Sequence, residues 1–86
     1  MSKILNKTGY RELSHMVECN GKKYFVDSNN TFDRGYETMV FNTIGEDEEV
    51  DWGDLYAEWY DSYEEMKQKH YEICNNLEKY LESEEE

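Results

Sequence analysis

From Arg11 to Cys19, side chains alternate along the chain. Leu13, His15, Val17 and Cys19 fall on one side of an extended segment and Glu12, Ser14, Met16 and Glu18 on the other. A period of two residues is the pattern of a strand. Asn20-Gly21 follows, and this dipeptide marks a two-residue hairpin turn because both positions must accept positive φ. The returning strand runs from Lys22 to Ser28. The turn fixes the register and sets Glu18 opposite Lys23, Val17 opposite Tyr24, Met16 opposite Phe25 and His15 opposite Val26. One pair is oppositely charged and the others are largely apolar, so turn and pairing agree. Residues 28–35 read as a loop by composition. A third strand is expected from Tyr36 to Ile44, with Thr38, Val40 and Asn42 on one face and Met39 and Phe41 on the other. Residues 45–54 read as an acidic loop. Leu55 to Tyr60 reads as a fourth strand, Leu55, Ala57 and Trp59 inward and Tyr56, Glu58 and Tyr60 outward, with a helical turn as the competing reading. The first nine residues are polar and weakly patterned and read as a loose arm.

The period changes after residue 61. Ser62, with Glu65 three residues later, forms a capping box, and Asp61, Glu64 and Glu65 crowd the end that the helix macrodipole favours for negative charge. Met66, His70, Ile73, Leu77 and Leu81 recur at steps of four and three, an apolar stripe of helical period. Tyr63 and Cys74 border it. The pattern predicts a single helix over residues 62–82, with an acidic tail at 83–86. The expected fold is a single α+β domain over residues 1–86: a small antiparallel sheet of three to four strands within residues 11–60, with one C-terminal helix packed on it.

Charge changes this picture from a fold to a kind of partner. The chain has 86 residues with nine basic and 21 acidic side chains, a formal net charge of −12, and thirteen aromatic rings. Residues 1–43 carry a net charge of +1 and residues 44–86 a net charge of −13. So many rings do not suit a disordered polyelectrolyte; the acid excludes nucleic acid and anionic membrane as partners of the whole surface. The start of the chain has no apolar leader segment, and two cysteines are too few for a disulfide scaffold, so reduced thiols in a cytoplasm are expected.

The chemistry-bearing side chains specify little. His15-x3-Cys19 and His70-x3-Cys74 repeat one spacing. His70 and Cys74 share a helix face, but residues four apart on a strand sit roughly 13 Å from each other, so His15 and Cys19 do not reach one ion together. Asp47, Glu49, Asp51 and Glu58 echo positions 1, 3, 5 and 12 of a calcium loop, with Trp52 where the glycine belongs. The five glycines are isolated, leaving neither a phosphate-cradling loop nor a nucleophile elbow. No catalytic residue, metal or cofactor is assigned, and the fold is expected to need none. The aromatic residues Trp52, Tyr56, Trp59, Tyr60 and Tyr63 lie in or beside the densest acid, a combination that suits an Arg-rich protein surface.

The run Tyr36-Glu37-Thr38-Met39-Val40-Phe41, followed by Asp51-Trp52-Gly53-Asp54-Leu55-Tyr56 and Tyr60, resembles small proteins of Firmicute phages and mobile elements over roughly residues 10–81. In size and charge the chain resembles the inhibitors that bacteriophages use against host nucleases, the anti-CRISPR and DNA-mimic proteins. The resemblance implies a non-enzymatic inhibitor in the cytoplasm of a bacterial host cell. Its partner would be a basic protein, a Cas effector or other host nuclease, rather than nucleic acid or membrane. The expected partner-binding residues, chosen on charge and aromaticity, are Glu46, Asp47, Glu48, Glu49, Asp51, Trp52, Asp54, Tyr56 and Glu58. The alternative is a structural or regulatory interaction protein, antitoxin-like, or dimerising through the C-terminal helix; the chain is accordingly expected as monomer or homodimer.

Overall fold

The computed structural model describes residues 2–9, 11–32, 35–46 and 49–82. Five antiparallel strands follow one another in space as they do in sequence: β1 (Ser2–Lys7), β2 (Leu13–Cys19), β3 (Lys22–Thr31), β4 (Gly35–Ile44) and β5 (Glu49–Tyr60). Two helices close the chain, α1 (Tyr63–Asn75) and α2 (Leu77–Glu82). The hairpin read from Asn20-Gly21 is present, with φ of 54° at Asn20 and 83° at Gly21. All four of its expected cross-strand pairs form.

The architecture corrects the expectation in several places. The sheet has five strands, not three to four, and the helical region is two segments, so the fold is mostly sheet. Residues 2–7 are not a loose arm: β1 pairs with β2 from Ser2↔Cys19 to Lys7↔His15, with a bulge between Ile4 and Asn6. The segment from residue 28, read as loop, continues β3 as far as Thr31, with Ser28, Asn29 and Asn30 opposite Thr38, Glu37 and Tyr36. Asn has poor strand propensity, but a neighbouring strand in register satisfies its backbone groups, and context overrides propensity in sheets. The acidic segment expected as loop contributes the first half of β5. Ten-residue β4 offers a full ladder, and β5 follows it by bulging on either side of Phe41, which faces Asp54 between Val40↔Tyr56 and Asn42↔Asp51.

One face of this sheet is covered by the helices. Val17 and Cys19 of β2, Val26 of β3 and Val40 of β4 pack with Ile73, Cys74, Leu77 and Tyr80; Ile4, Tyr24, Tyr56 and Leu81 border them. A second cluster joins Leu13 and Tyr60 to Met66, with Tyr36 and Tyr63 beside it. Tyr60 is therefore inside and Trp59 is about half exposed, the reverse of the orientation expected for residues 55–60. The helices cover the face that carries Thr38 and Val40, and their register partners in β5 are Glu58 and Tyr56. The apolar stripe of the helix is buried against this chain's own sheet, with Met66, His70, Ile73 and Leu77 all buried. Pairing of two copies through this stripe would have to uncover it.

Helix α1 starts where the capping box placed it: the Ser62 hydroxyl accepts from the Glu65 N–H at 3.2 Å. It stops at Asn76, because β1 reaches the gap. The Ser2 hydroxyl donates to the Cys74 carbonyl and accepts from the Leu77 N–H, both at 2.8 Å and both buried. One side chain from the start of the chain thus satisfies a helix-terminal carbonyl and a helix-initial amide. Ser2→Ala leaves both buried groups unpaired and is expected to cost about 1–3 kcal/mol in urea denaturation. An unchanged midpoint would mean that the first strand is not docked.

Candidate functional site

The end of the β4–β5 hairpin gathers the acid. Gly45, with φ of 71°, makes the reversal after Ile44, and Glu46 is exposed in the turn. Glu49, Asp51 and Asp54 are exposed along β5, a sheet edge. Asp47 and Glu48 lie outside the described residues. Among the described residues, none of these four carboxylates makes an ion pair. Asp51 accepts from the Gly53 N–H at 3.3 Å, which helps shape the bulge. Edge strands carrying charge resist pairing with other chains, so the acid also keeps this edge open.

Trp52 lies within this acid and is 57% exposed. Its ring stands edge-on to Phe41 at 5.0 Å and to Phe25 at 6.0 Å, on the face of the sheet opposite the helices. The structure thus brings Glu46, Glu49, Asp51, Trp52 and Asp54 to one end of one hairpin. It does not bring Tyr56 and Glu58 there. The Tyr56 hydroxyl donates to Glu58 Oε1 at 2.9 Å, Tyr56 packs edge-on to Tyr80, and Glu58 lies 4.0 Å from the Lys69 ammonium. Both side chains belong to the seam between β5 and the helices, apart from the hairpin end. The calcium-loop echo also fails, because Glu49 and Glu58 are on one extended strand, separated by roughly 30 Å at the usual rise per residue.

A second constellation lies in the interior, under the helix. His15 Nδ1 is 2.9 Å from His70 Nε2. His70 Nδ1 is 2.6 Å from the Ser28 hydroxyl, which is 2.5 Å from the Thr38 hydroxyl. Cys74 Sγ is 3.7 Å from the same His70 Nε2. His15 comes from β2, Ser28 and Thr38 from facing positions of β3 and β4, and His70 and Cys74 from one face of α1. His70, Cys74 and Thr38 are fully buried and His15 nearly so. Burial pushes the His70 imidazole down to about 4, with His15 adding to the shift. Burial, then Lys7, lowers His15, and burial pushes the Cys74 thiol up to about 12. Both cysteines are free thiols. Cys19 stands apart from this group, its sulfur 3.8 Å from a Glu78 carboxylate oxygen, as the strand spacing required. Ser28 and Thr38 carried no individual signal in the sequence; only the β3–β4 register places them side by side.

Compared with protein-family models, curated proteins and solved structures, the chain matches none. Among the described residues no helix is long and apolar enough to cross a membrane.

The open face of the sheet has one titratable group under strain. Arg11 Nε is 3.2 Å from Asp27 Oδ2, while Asp27 Oδ1 is buried without a partner. Burial raises the Asp27 carboxyl above its ordinary 3.8, against the opposing pull of Arg11. A carboxyl whose pKa is raised by folding penalises the folded state once it ionises, and the penalty disappears as pH falls below the ordinary value. Asp27→Asn is therefore expected to be more favourable, relative to the parent, at about pH 7 than at about pH 3. Urea midpoints of the two proteins at both pH values measure this; an equal difference at both would show that the carboxyl titrates as in the unfolded chain.

Proposed function

We propose that the chain is a non-enzymatic acidic binding protein whose β4–β5 hairpin end docks on a basic surface of another protein. The observation that carries this reading is the exposed set Glu46, Glu49, Asp51 and Asp54 with the half-exposed ring of Trp52 among them. Carboxylates pair with guanidinium and ammonium groups, and an indole gives guanidinium a stacking surface. The surface with the required density of Lys and Arg is the nucleic-acid channel of a nuclease, so the partner class is a bacterial defence nuclease, a Cas effector among them. Acid arrayed along the hairpin would occupy the channel in place of nucleic acid and displace the same counterions. The open sheet face beside it, with the Trp59 indole donating to Glu37 at 2.9 Å, extends the same mixture of ring and carboxylate.

The test is charge neutralisation at positions whose side chains are exposed. Glu49→Gln, Asp51→Asn and Asp54→Asn together are expected to leave the thermal midpoint unchanged or slightly raised, because like charges on one strand repel. Association with a nuclease that the parent inhibits is expected to slow by about tenfold or more at low salt, where steering acts. The difference should shrink as salt screens the contact. Equal inhibition by parent and variant at low and high salt would show that the acid serves solubility alone.

A further inference from the structure

Independently of that reading, we propose that His15, His70 and Cys74 form a buried three-ligand site for a zinc ion. The three donor atoms, one imidazole nitrogen from each histidine and the Cys74 sulfur, lie within 4.8 Å of one another. In a tetrahedral zinc site, the usual bond lengths set donor nitrogens about 3.3 Å apart and nitrogen and sulfur about 3.6 Å apart. Here the nitrogens are 2.9 Å apart, and sulfur lies 3.7 Å from the His70 nitrogen. The remaining pair, the His15 nitrogen and the sulfur, lies within 4.8 Å, so an ion would part the imidazoles slightly and draw the sulfur toward His15. Two imidazoles and a thiolate are soft and borderline ligands, which select zinc over magnesium or calcium.

The surroundings orient the ligands. His70 presents Nε2 to the site because Nδ1 is held by Ser28, itself held by Thr38. A hydrogen bond to the far nitrogen is how ligating histidines are fixed in tautomer and direction. His70 and Cys74 are one helical turn apart, so α1 supplies two ligands from one face and β2 supplies the third. The ring of Tyr71 packs beside both imidazoles, tilted at 5.6 Å from His15 and edge-on at 5.2 Å from His70. The fourth position remains for water. On binding, the proton between His15 Nδ1 and His70 Nε2 moves to His15 Nε2 by tautomer change, and the Cys74 thiol loses its proton to solvent. One proton is therefore released per ion, and no redox change is involved.

In the absence of an ion the two imidazoles bond to each other. That bond would take the place of the ion in the metal-free protein, so chelation is expected to leave its midpoint where it is. Added zinc should raise it, by more than about 10 °C at hundredfold excess over the dissociation constant. Cobalt(II) titration of the parent chain should give thiolate-to-cobalt charge transfer and tetrahedral visible bands at one equivalent, bleached by zinc. Calorimetry in two buffers of different ionisation heat should count one proton. Cys74→Ala should abolish the cobalt bands and the zinc-induced shift, while Cys19→Ala keeps both. His70→Ala opens the Ser28–Thr38 chain and can unfold, so the spectrum of the parent carries the test without it. Absence of the charge-transfer band, or its survival in Cys74→Ala, overturns the proposal. So does a midpoint shift that calcium reproduces equally, since that assigns the ion to surface carboxylates.

Discussion

The docking of the two helices on the central strands is the contact on which the rest of this fold depends. Val26 and Val40 sit side by side on β3 and β4 because register pairs them, Val17 of β2 lies diagonally from Val26 on the same face, and Ile73 and Leu77 cover all three. All five are fully buried. A sheet of this size has two faces, and the chain has helix enough for one. The other face is closed only in part, by Trp52 folding over Phe25 and Phe41. Burial of His70, the break at Asn76 and the ordering of β1 all follow from where α1 sits. Ser2 reaches the break only if the helix lies across the sheet.

This arrangement explains how a strongly acidic chain keeps a polar interior. Acid is placed where water can solvate it, along the β5 edge and the outer face of the helices. Under the helices the polar groups His15, Ser28, Thr38 and His70 are uncharged hydroxyls and imidazoles bonded to one another, which avoids the cost of burying an unpaired charge there. His15 and His70, 55 residues apart in sequence, meet at 2.9 Å only because α1 crosses the sheet over β2. The two constellations are therefore separate in chemistry: the hairpin end carries exposed carboxylates around Trp52, and the buried group brings two imidazoles and a thiol together.

Much of the local structure could be read from the residues, and the failures share a cause. The β2–β3 register was legible because Asn20-Gly21 restricts the turn and every pair then follows. The start of α1 was legible because Ser62 and Glu65 act within four residues of each other. Strand β1 was not, since Ser2 to Lys7 has little pattern of its own and becomes a strand by pairing with β2. Residues 49–54 looked like loop because acid and glycine are poor strand formers, yet β4 supplies a partner along their length. The acidic patch was visible in composition; Tyr56 and Glu58 were assigned to it because sequence proximity does not show on which side of the sheet a residue lies. Cys19 was correctly separated from a shared ligand set by strand spacing. The convergence of His15 with His70 and Cys74 required the tertiary crossing.

The central claim is that function resides at the hairpin end and not in the acidity of the chain as a whole. The helices carry Glu64, Glu65, Glu72 and Glu78, with Lys67, Lys69 and Lys79 interspersed, and provide an internal comparison. The direct measurement is amide and indole NMR shift mapping during titration with a short Arg-rich peptide. The account predicts shifts concentrated at Glu46, from Glu49 to Asp54 and at the Trp52 indole, with little change along the outer face of α1. Shifts spread evenly over the helices, or largest there, would contradict it.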